Sequence, residues 1–458
     1  MRLLFVMLFS FAVALGLEFS VYASVAIAIS VYFAVDFFFK VNEKIAFVEF
    51  LLAIYGLNYL FSPALAYRGI QDEEAYGMRI PEAEYFGIAI YAVLLLWLGL
   101  SLIPIRIFKI NLEDLKKSIE PNVKVIRYVV VWGMILAFVG NLVRGELSTL
   151  LYIVALLRYV AAMCLFVYDS RENKWYIIAI LVAEITGAVF TAMFHDAVIW
   201  LIFFGLVIMY KNKPHYIYRL GVCIIGICGY VVLQSSKADY RMSYEKENRD
   251  FSKFFTVIER NLSGEDKQLF SQQNNVNSVN RVNQAWIFAS TMQNMDYTRD
   301  FQGGKLMSKY FEAAFLPRFL APNKLKAGDR TVFNRYSGHY IHKNTSMGLG
   351  IFADGYVSFG YFGTLIFAVL FGVVIKLVCR VIEYWSRKSL MFIFLVFPIL
   401  FYAVRPDCET QTLFGHILKA IVAYGLLIFL FKSVLVLEER AKEEDTREGD
   451  LIFSTMDH

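Results

Sequence analysis

The chain has 458 residues, 58% of them hydrophobic and only 19% charged, with 42 Phe, 28 Tyr and a net charge of +5. Soluble domains run at roughly 45–50% apolar and ~25% charged, and the mean hydropathy here is +0.52. A water-soluble fold cannot hide that surplus, which excludes DNA-binding modules, secreted disulfide scaffolds and cytosolic Rossmann enzymes. An all-α polytopic integral membrane protein is expected.

The apolar residues fall in runs near the ~20 residues that cross a hydrocarbon core. Twelve transmembrane helices are predicted: 3–17, 20–39, 45–66, 85–105, 125–143, 148–168, 175–194, 196–210, 216–234, 360–379, 389–404 and 412–436. Only Gly16-Leu17-Glu18 separates the first two, and little more than His195-Asp196 separates the seventh and eighth. The first run, behind Arg2, reads as an uncleaved signal anchor. Residues 1–234 thus hold nine spans, 235–346 form a long loop, 347–436 hold three more spans, and 437–458 form a charged tail.

Lys and Arg in short connections mark the cytoplasmic side. With the spans numbered by parity, the side of the N-terminus carries 21 such residues and the opposite short loops carry four: Arg68, Arg79, Arg144 and Arg405. Both termini are therefore expected in the cytoplasm, and the 235–346 loop outside. That loop has 17 Lys/Arg against 11 Asp/Glu, a basic excess on the side where orientation does not call for one. It reads as a solvated domain or as a site for an anionic ligand.

Within the loop, 237–280 is polar and ends in an Asn/Gln/Ser-rich stretch. From Arg281 onward Val282, Ala285, Trp286, Phe288 and Met292 recur at helical spacing, predicting an amphipathic helix against the membrane or the bundle. Pro317 and Pro322 bracket Arg318 and end any helix there. Arg330, Arg335, His339 and His342 follow. A glycine-rich stretch, Gly348 to Gly363 with Asp354 inside it, then re-enters the membrane. Guanidinium groups bind phosphate in a bidentate fork and stay charged at any relevant pH. Arg281, Arg318, Arg330 and Arg335, gathered beside that re-entry, predict a pyrophosphate site, with Arg405 next in line. Each arginine read alone is a surface or lipid-headgroup contact.

The five cysteines offer no disulfide framework, and the chain has no CxxC, HExxH or Gly-rich nucleotide motif, so neither metal nor nucleotide cofactor is expected. Arg158 lies in the middle of an apolar run. Facing lipid there would cost at least ~2.5–3.5 kcal/mol, so it should find a partner, with Glu184 and Glu49 as candidates. His416 and Lys419 enter the last span behind Arg405, Asp407 and Glu409 and join His195 and Asp196 as candidates for lining a cavity. For each, an interhelical ion pair is the plain alternative.

Residues 281–375 resemble the bacterial oligosaccharide repeat-unit polymerases of the O-antigen polymerase (Wzy-type) class. The resemblance rests on Phe315-Leu-Pro317-Arg318-Phe-Leu-Ala-Pro322-Asn-Lys324, followed by Gly348-x-Gly350-Ile-Phe-Ala-Asp354-Gly-Tyr356-Val-Ser-Phe359-Gly360-Tyr-Phe-Gly363. Relatives carry a small residue and then Arg at the start of the span matching 196–210, where this chain has His195-Asp196, so no arginine role transfers to that position.

The resemblance implies a GT-C-like glycosyltransferase with one long extracytoplasmic (periplasmic) loop in the bacterial inner membrane. Its substrate would be an undecaprenyl-pyrophosphate-linked oligosaccharide, handled without metal or nucleotide sugar, and a flippase and a chain-length regulator would be its partners. Such chemistry needs cations facing the leaving pyrophosphate, for which the arginines stand. It also needs a general base, for which His339 and Asp354 stand. Asp354 is otherwise a helix cap. The rival readings are an O-antigen ligase, a transporter or lipid-linked oligosaccharide flippase, and a membrane acyltransferase centred on His195-Asp196.

Overall fold

The structure, a computed structural model, describes residues 2–70, 76–143, 145–244, 248–263, 282–316, 320–342 and 345–437. The described residues are all-helical. Ten helices among them are long and apolar enough to cross a membrane, and two further apolar helices, Leu3–Gly16 and Leu390–Ile399, are shorter. The expected span 389–404 is not one helix. It is the 3₁₀ turns Leu390–Leu395 and Phe401–Val404 flanking the short helix Val396–Ile399.

The chain divides into two compact units. The first comprises Met1–Ile103, Glu184–Ile375 and Phe401–Leu418. In it α1 (Arg2–Gly16) packs on α2 (Val21–Lys40), and α2 packs on α3 (Phe47–Gly56). Ser20 caps α2 by accepting the Ala23 amide at 3.0 Å. A π-turn, Leu57–Phe61, carries α3 into α4 (Ser62–Tyr67). Small residues set how closely backbones approach where lipid offers no hydrophobic drive for helix association. The Ser30 hydroxyl reaches the Gly56 carbonyl at 2.9 Å. A Cβ on Gly99, in α5 (Glu82–Ser101), would lie 2.3 Å from the Val369 carbonyl oxygen, and one on Gly372 would lie 2.6 Å from the Leu96 carbonyl oxygen. Gly99→Leu should therefore destabilise the protein by about 3 kcal/mol or more, since the obstruction is backbone rather than a side chain that can rotate away. The loss is read as the detergent-extracted melting temperature, and an unchanged melt would show that these helices do not cross here.

The second unit comprises Pro104–Ala183, Lys376–Leu400 and Lys419–His458. Here α6 (Leu112–Ile119) leads into α7 (Val123–Leu142), which packs on α8 (Glu146–Ala155) and α9 (Leu157–Asp169). Arg158 stands where α8 gives way to α9. Its guanidinium donates to the Ala155 carbonyl at 3.0 Å and the Tyr159 hydroxyl at 2.6 Å, and Gly133 leaves room for its Cβ. Local carbonyl and phenol groups hold it, while Glu49, one of the two carboxylates suggested for it, lies in the first unit and pairs with Lys44 at 2.6 Å.

Among the described residues, three helices lead into the 235–346 segment and four lie within it. Helix α10 (Lys174–Thr191) precedes α11 (His195–Asn212), and α12 (Tyr216–Ser243) runs nine residues past the predicted end at 234. The amphipathic α13 (Phe251–Ser263) closes over their ends, burying Phe254 and Val257 against Ala188, Val189, Phe194 and Tyr240. The predicted amphipathic helix is α14 (Ala285–Thr298). It rests on the bundle, with Phe288 against Tyr59, Tyr85 and Phe352. Helix α15 (Lys305–Phe315) stops before Pro317, as the prolines require, and α16 (Arg330–Ser337) is capped by Asp329, which accepts the Thr331 amide at 2.9 Å.

The tenth predicted span begins nine residues early and is broken. Ile351–Ser386 leaves helical geometry at Phe359 and Gly360, where Gly360 has φ +62°. The Thr364 hydroxyl nevertheless reaches the Phe352 carbonyl at 3.1 Å, and Gly355 and Gly363 touch backbone to backbone. Twelve residues of unbroken helix would place those groups ~18 Å apart, so the chain reverses at Phe359–Gly360. The result is α17, a hairpin of a short re-entrant arm (351–358) and a long arm (361–386). The amides of Gln302 and Gly303 take the last carbonyls of the short arm, Val357 and Ser358, each at 2.9 Å. The last long helix is α18 (Thr410–Leu430).

Candidate active site

The turn 405–409 lies between the 3₁₀ turn Phe401–Val404 and α18. Phe401 anchors it on α11 by stacking on Trp200 with centroids 5.5 Å apart. The Tyr59 hydroxyl donates to the Pro406 carbonyl at 3.0 Å. Gly350, with φ +84°, lies against the same carbonyl, where a Cβ would come within 2.7 Å. A side chain at 350 is therefore excluded twice, by conformation and by space.

This anchoring brings Arg405 to Asp196, 209 residues away in sequence, with Nη1–Oδ1 3.2 Å, while Nη2 lies 3.7 Å from Asp407. The arginine side chain is 22% exposed and the two carboxylates 46% and 36%. Burial works against the charge on Arg405, and the Asp407 and Asp196 carboxylates outweigh it, so its pKa rises. Its Nε is buried and finds no acceptor among the described residues. His195 stands 3.5 Å from Asp196. Buried His416 meets the edge of the Tyr402 ring, with centroids 4.8 Å apart, and the Arg405 guanidinium lies over that same ring. Lys419, three residues further along α18, is exposed and falls in the second unit.

The same turn holds a second group. Asp354, on the re-entrant arm, is fully buried. Its Oδ2 accepts the Thr410 amide and hydroxyl at 2.9 and 2.7 Å, and its Oδ1 accepts the Tyr310 hydroxyl at 3.2 Å. Asp354 is thus a helix cap, but for α18, the helix across from its own. With three donors on two oxygens and no solvent access, it is committed to joining the re-entrant arm, α15 and α18 rather than to taking a proton from a substrate. Glu409 is buried beside it, and its Oε1 accepts the Gly328 amide at 2.7 Å and the Thr412 hydroxyl at 2.9 Å. Burial first, and then the Asp354 carboxylate, push Glu409 up to about 7 from its ordinary 4.5. The stability tied to its proton is full below pH 4.5 and is lost as pH rises through about 7. Glu409→Gln should therefore flatten the fall in melting temperature between those limits; a slope matching wild type would show that the carboxylate titrates normally.

Through the Gly328 amide Glu409 is joined to a cleft of about 540 Å³, lined among others by Lys324, Lys326, Gly328, Arg330, Thr331 and Ser346. The Gln411 side-chain amide fastens the cleft loop to α18 through the Leu325 carbonyl at 3.0 Å. Three cations against the one carboxylate of Asp329, with hydroxyls and backbone between them, suit an anion.

The predicted site residues therefore separate. Arg330 lines the cleft and Arg405 lies in the neighbouring turn. Arg335 is engaged elsewhere, with Nε and Nη2 both 2.8 Å from Asp300 Oδ2. His339 Nε2 lies 2.9 Å from the Ser290 hydroxyl and its ring meets Trp286; burial, then Arg79, push its pKa down, keeping it neutral. Arg281 and Arg318 lie outside the described residues. Sequence reasoning gave no role to Glu409, Lys324 or Lys326. Glu409 follows Arg405 and Asp407 in a polar run between two apolar ones, a signal that could have drawn attention to it; Lys326 carried no signal apart from the basic excess of the loop, and Lys324 closed the Phe315–Lys324 motif without being given a role.

Among the described residues, no group of three or more His, Cys, Asp and Glu side chains is placed to hold a metal ion. No curated protein and no solved structure matches the chain. One family profile does, over residues 91–439, which takes in the cleft, the 405–409 turn and the hairpin, so that the chain belongs to the family described as Domain of unknown function (DUF8712).

Proposed function

We propose that this protein is a glycan polymerase of the bacterial inner membrane, joining oligosaccharide repeats carried on a polyprenyl pyrophosphate. The observation that carries the reading is the pairing, through one turn, of a cation-lined cleft with the arginine–carboxylate group of Arg405, Asp196 and Asp407. In the proposed topology both termini are cytoplasmic and the 235–346 segment lies outside, so cleft and turn meet the carrier lipid at the outer leaflet.

In this reading Lys324, Lys326 and Arg330 face the diphosphate, whose charge grows as it leaves. The acceptor hydroxyl gives its proton to Asp196 or Asp407, both partly exposed and oriented by Arg405. The new bond forms between that oxygen and the anomeric carbon as the bond from that carbon to the diphosphate breaks, and the electron pair departs on the lipid carrier. His339 and Asp354 are already engaged, which leaves the base role to these two aspartates.

Purified protein in vesicles, supplied with carrier-linked repeats, should yield a ladder of longer glycans and release free lipid pyrophosphate. Arg330→Ala combined with Lys326→Ala should cut kcat/KM about tenfold or more, because these side chains face a diphosphate whose charge grows as it leaves. Transfer of a preformed chain to a lipid A core without elongation would make the protein a ligase, and movement of intact repeats across the vesicle wall without transfer would make it a flippase.

A further inference from the structure

We propose that an anion entering the cleft binds together with a proton, and that Glu409 is the group that takes it up. The proposal deepens the reading of the cleft as a diphosphate site and rests on it. Gly328 is the point of contact. Its bare backbone lines the cleft, and its amide ends on Glu409 Oε1 at 2.7 Å. A side chain there would be strained, because Gly328 has φ +63°, and its Cβ would have to displace the Ser346 hydroxyl, 1.7 Å away. No side chain of residue 328 therefore stands between an anion over Gly328 and a buried carboxylate one residue behind it.

The groups that face Glu409 are acids, hydroxyls and a thiol: Asp354 from the re-entrant arm, Asp329 from the cleft loop, Tyr310 from α15, Thr412 from the start of α18 and Cys408 beside it in the turn. Lys324, Lys326 and Arg330 line the cleft and supply the attraction for the ligand. A second negative charge beside a poorly solvated carboxylate disfavours its ionised form. Linkage then requires that the anion bind more tightly to the protein whose Glu409 carries a proton. Glu409 already titrates near neutrality because it is buried beside Asp354, so an incoming diphosphate can complete its protonation under ordinary conditions. The consequence for the proposed reaction is a diphosphate held while Glu409 is neutral and expelled when that proton is lost.

The probe is P1,P2-dimethyl diphosphate, a diester whose own charge stays constant across the range of interest, titrated calorimetrically into the detergent-solubilised full chain in buffers of different ionisation enthalpy. Near pH 7.5 wild type should take up a substantial fraction of one proton per ligand bound, and its affinity should weaken up to tenfold per pH unit above neutrality. Glu409→Gln keeps an acceptor for the Gly328 amide and should bind with no uptake and a flat pH profile. Uptake that is absent in wild type, or equal in the variant, overturns the proposal. Should the variant not fold, a flat wild-type affinity from pH 6.5 to 8.5 overturns it just as directly. Failure of the diester to bind wild type removes the cleft reading as well. Binding with proton uptake in a protein that elongates no glycan leaves this inference standing and removes only the polymerase.

Discussion

Arg405→Ala should reduce glycan extension by 10² to 10³ in kcat, the size of effect seen when one preorganised charge-stabilising donor is lost, about 3–4 kcal/mol. The guanidinium has two tasks. One terminal nitrogen holds Asp196 at 3.2 Å, and the other faces Asp407 at 3.7 Å. Removal takes away the cation that both carboxylates contact, so neither is held in place for the acceptor hydroxyl. Arg405→Lys keeps the charge but cannot reach both carboxylates as a planar fork; it should recover a small part of the rate while folding normally. The measurement is initial-rate extension in vesicles at matched protein levels. Wild-type rates for both variants would remove this turn from the chemistry.

The second large effect is expected at Asp354. Asp354→Ala leaves the Thr410 amide, the Thr410 hydroxyl and the Tyr310 hydroxyl without their acceptor inside a sealed site. An unsatisfied buried donor costs about 1–3 kcal/mol, and three sharing one neighbourhood should together cost on the order of 4–5 kcal/mol, enough to unfold a marginal protein. Asp354→Asn keeps the shape but offers a single carbonyl oxygen and turns an N–H toward one of the donors. It should melt between wild type and the alanine variant, with activity falling in step with the folded fraction. A general base behaves differently: the asparagine variant would melt like wild type and lose its turnover. Melting temperature and kcat measured on one preparation separate the two cases, and an unshifted melt with lost turnover would return Asp354 to the chemistry.

What composition and periodicity determined is the class of molecule. Apolar runs of ~20 residues in lipid leave a backbone with no partner except itself, which means helices, and the described residues hold ten helices long and apolar enough to cross a membrane. Local signals also held where the physics is local: α14 at the spacing of Trp286, Phe288 and Met292, and α15 ending before Pro317. Tertiary structure decided the rest. The glycine-rich stretch after Ser346 reads as an approach to a single span, because each of its glycines is merely permissive by itself. Gly355 against Gly363, and Gly360 at positive φ, turn it into a hairpin.

The site followed the same division. A row of arginines in sequence suggested one phosphate grip, but charge identity carries no information about neighbours. Asp300 takes Arg335, Arg330 lines the cleft, and Arg405 meets Asp196 only because α11 and the 405–409 turn pack together. Glu409 is the sharpest case. In sequence it is one acid among 40 Asp and Glu. Burial beside Asp354 and the hydrogen bond from Gly328 set it apart, and both depend on segments more than fifty residues away.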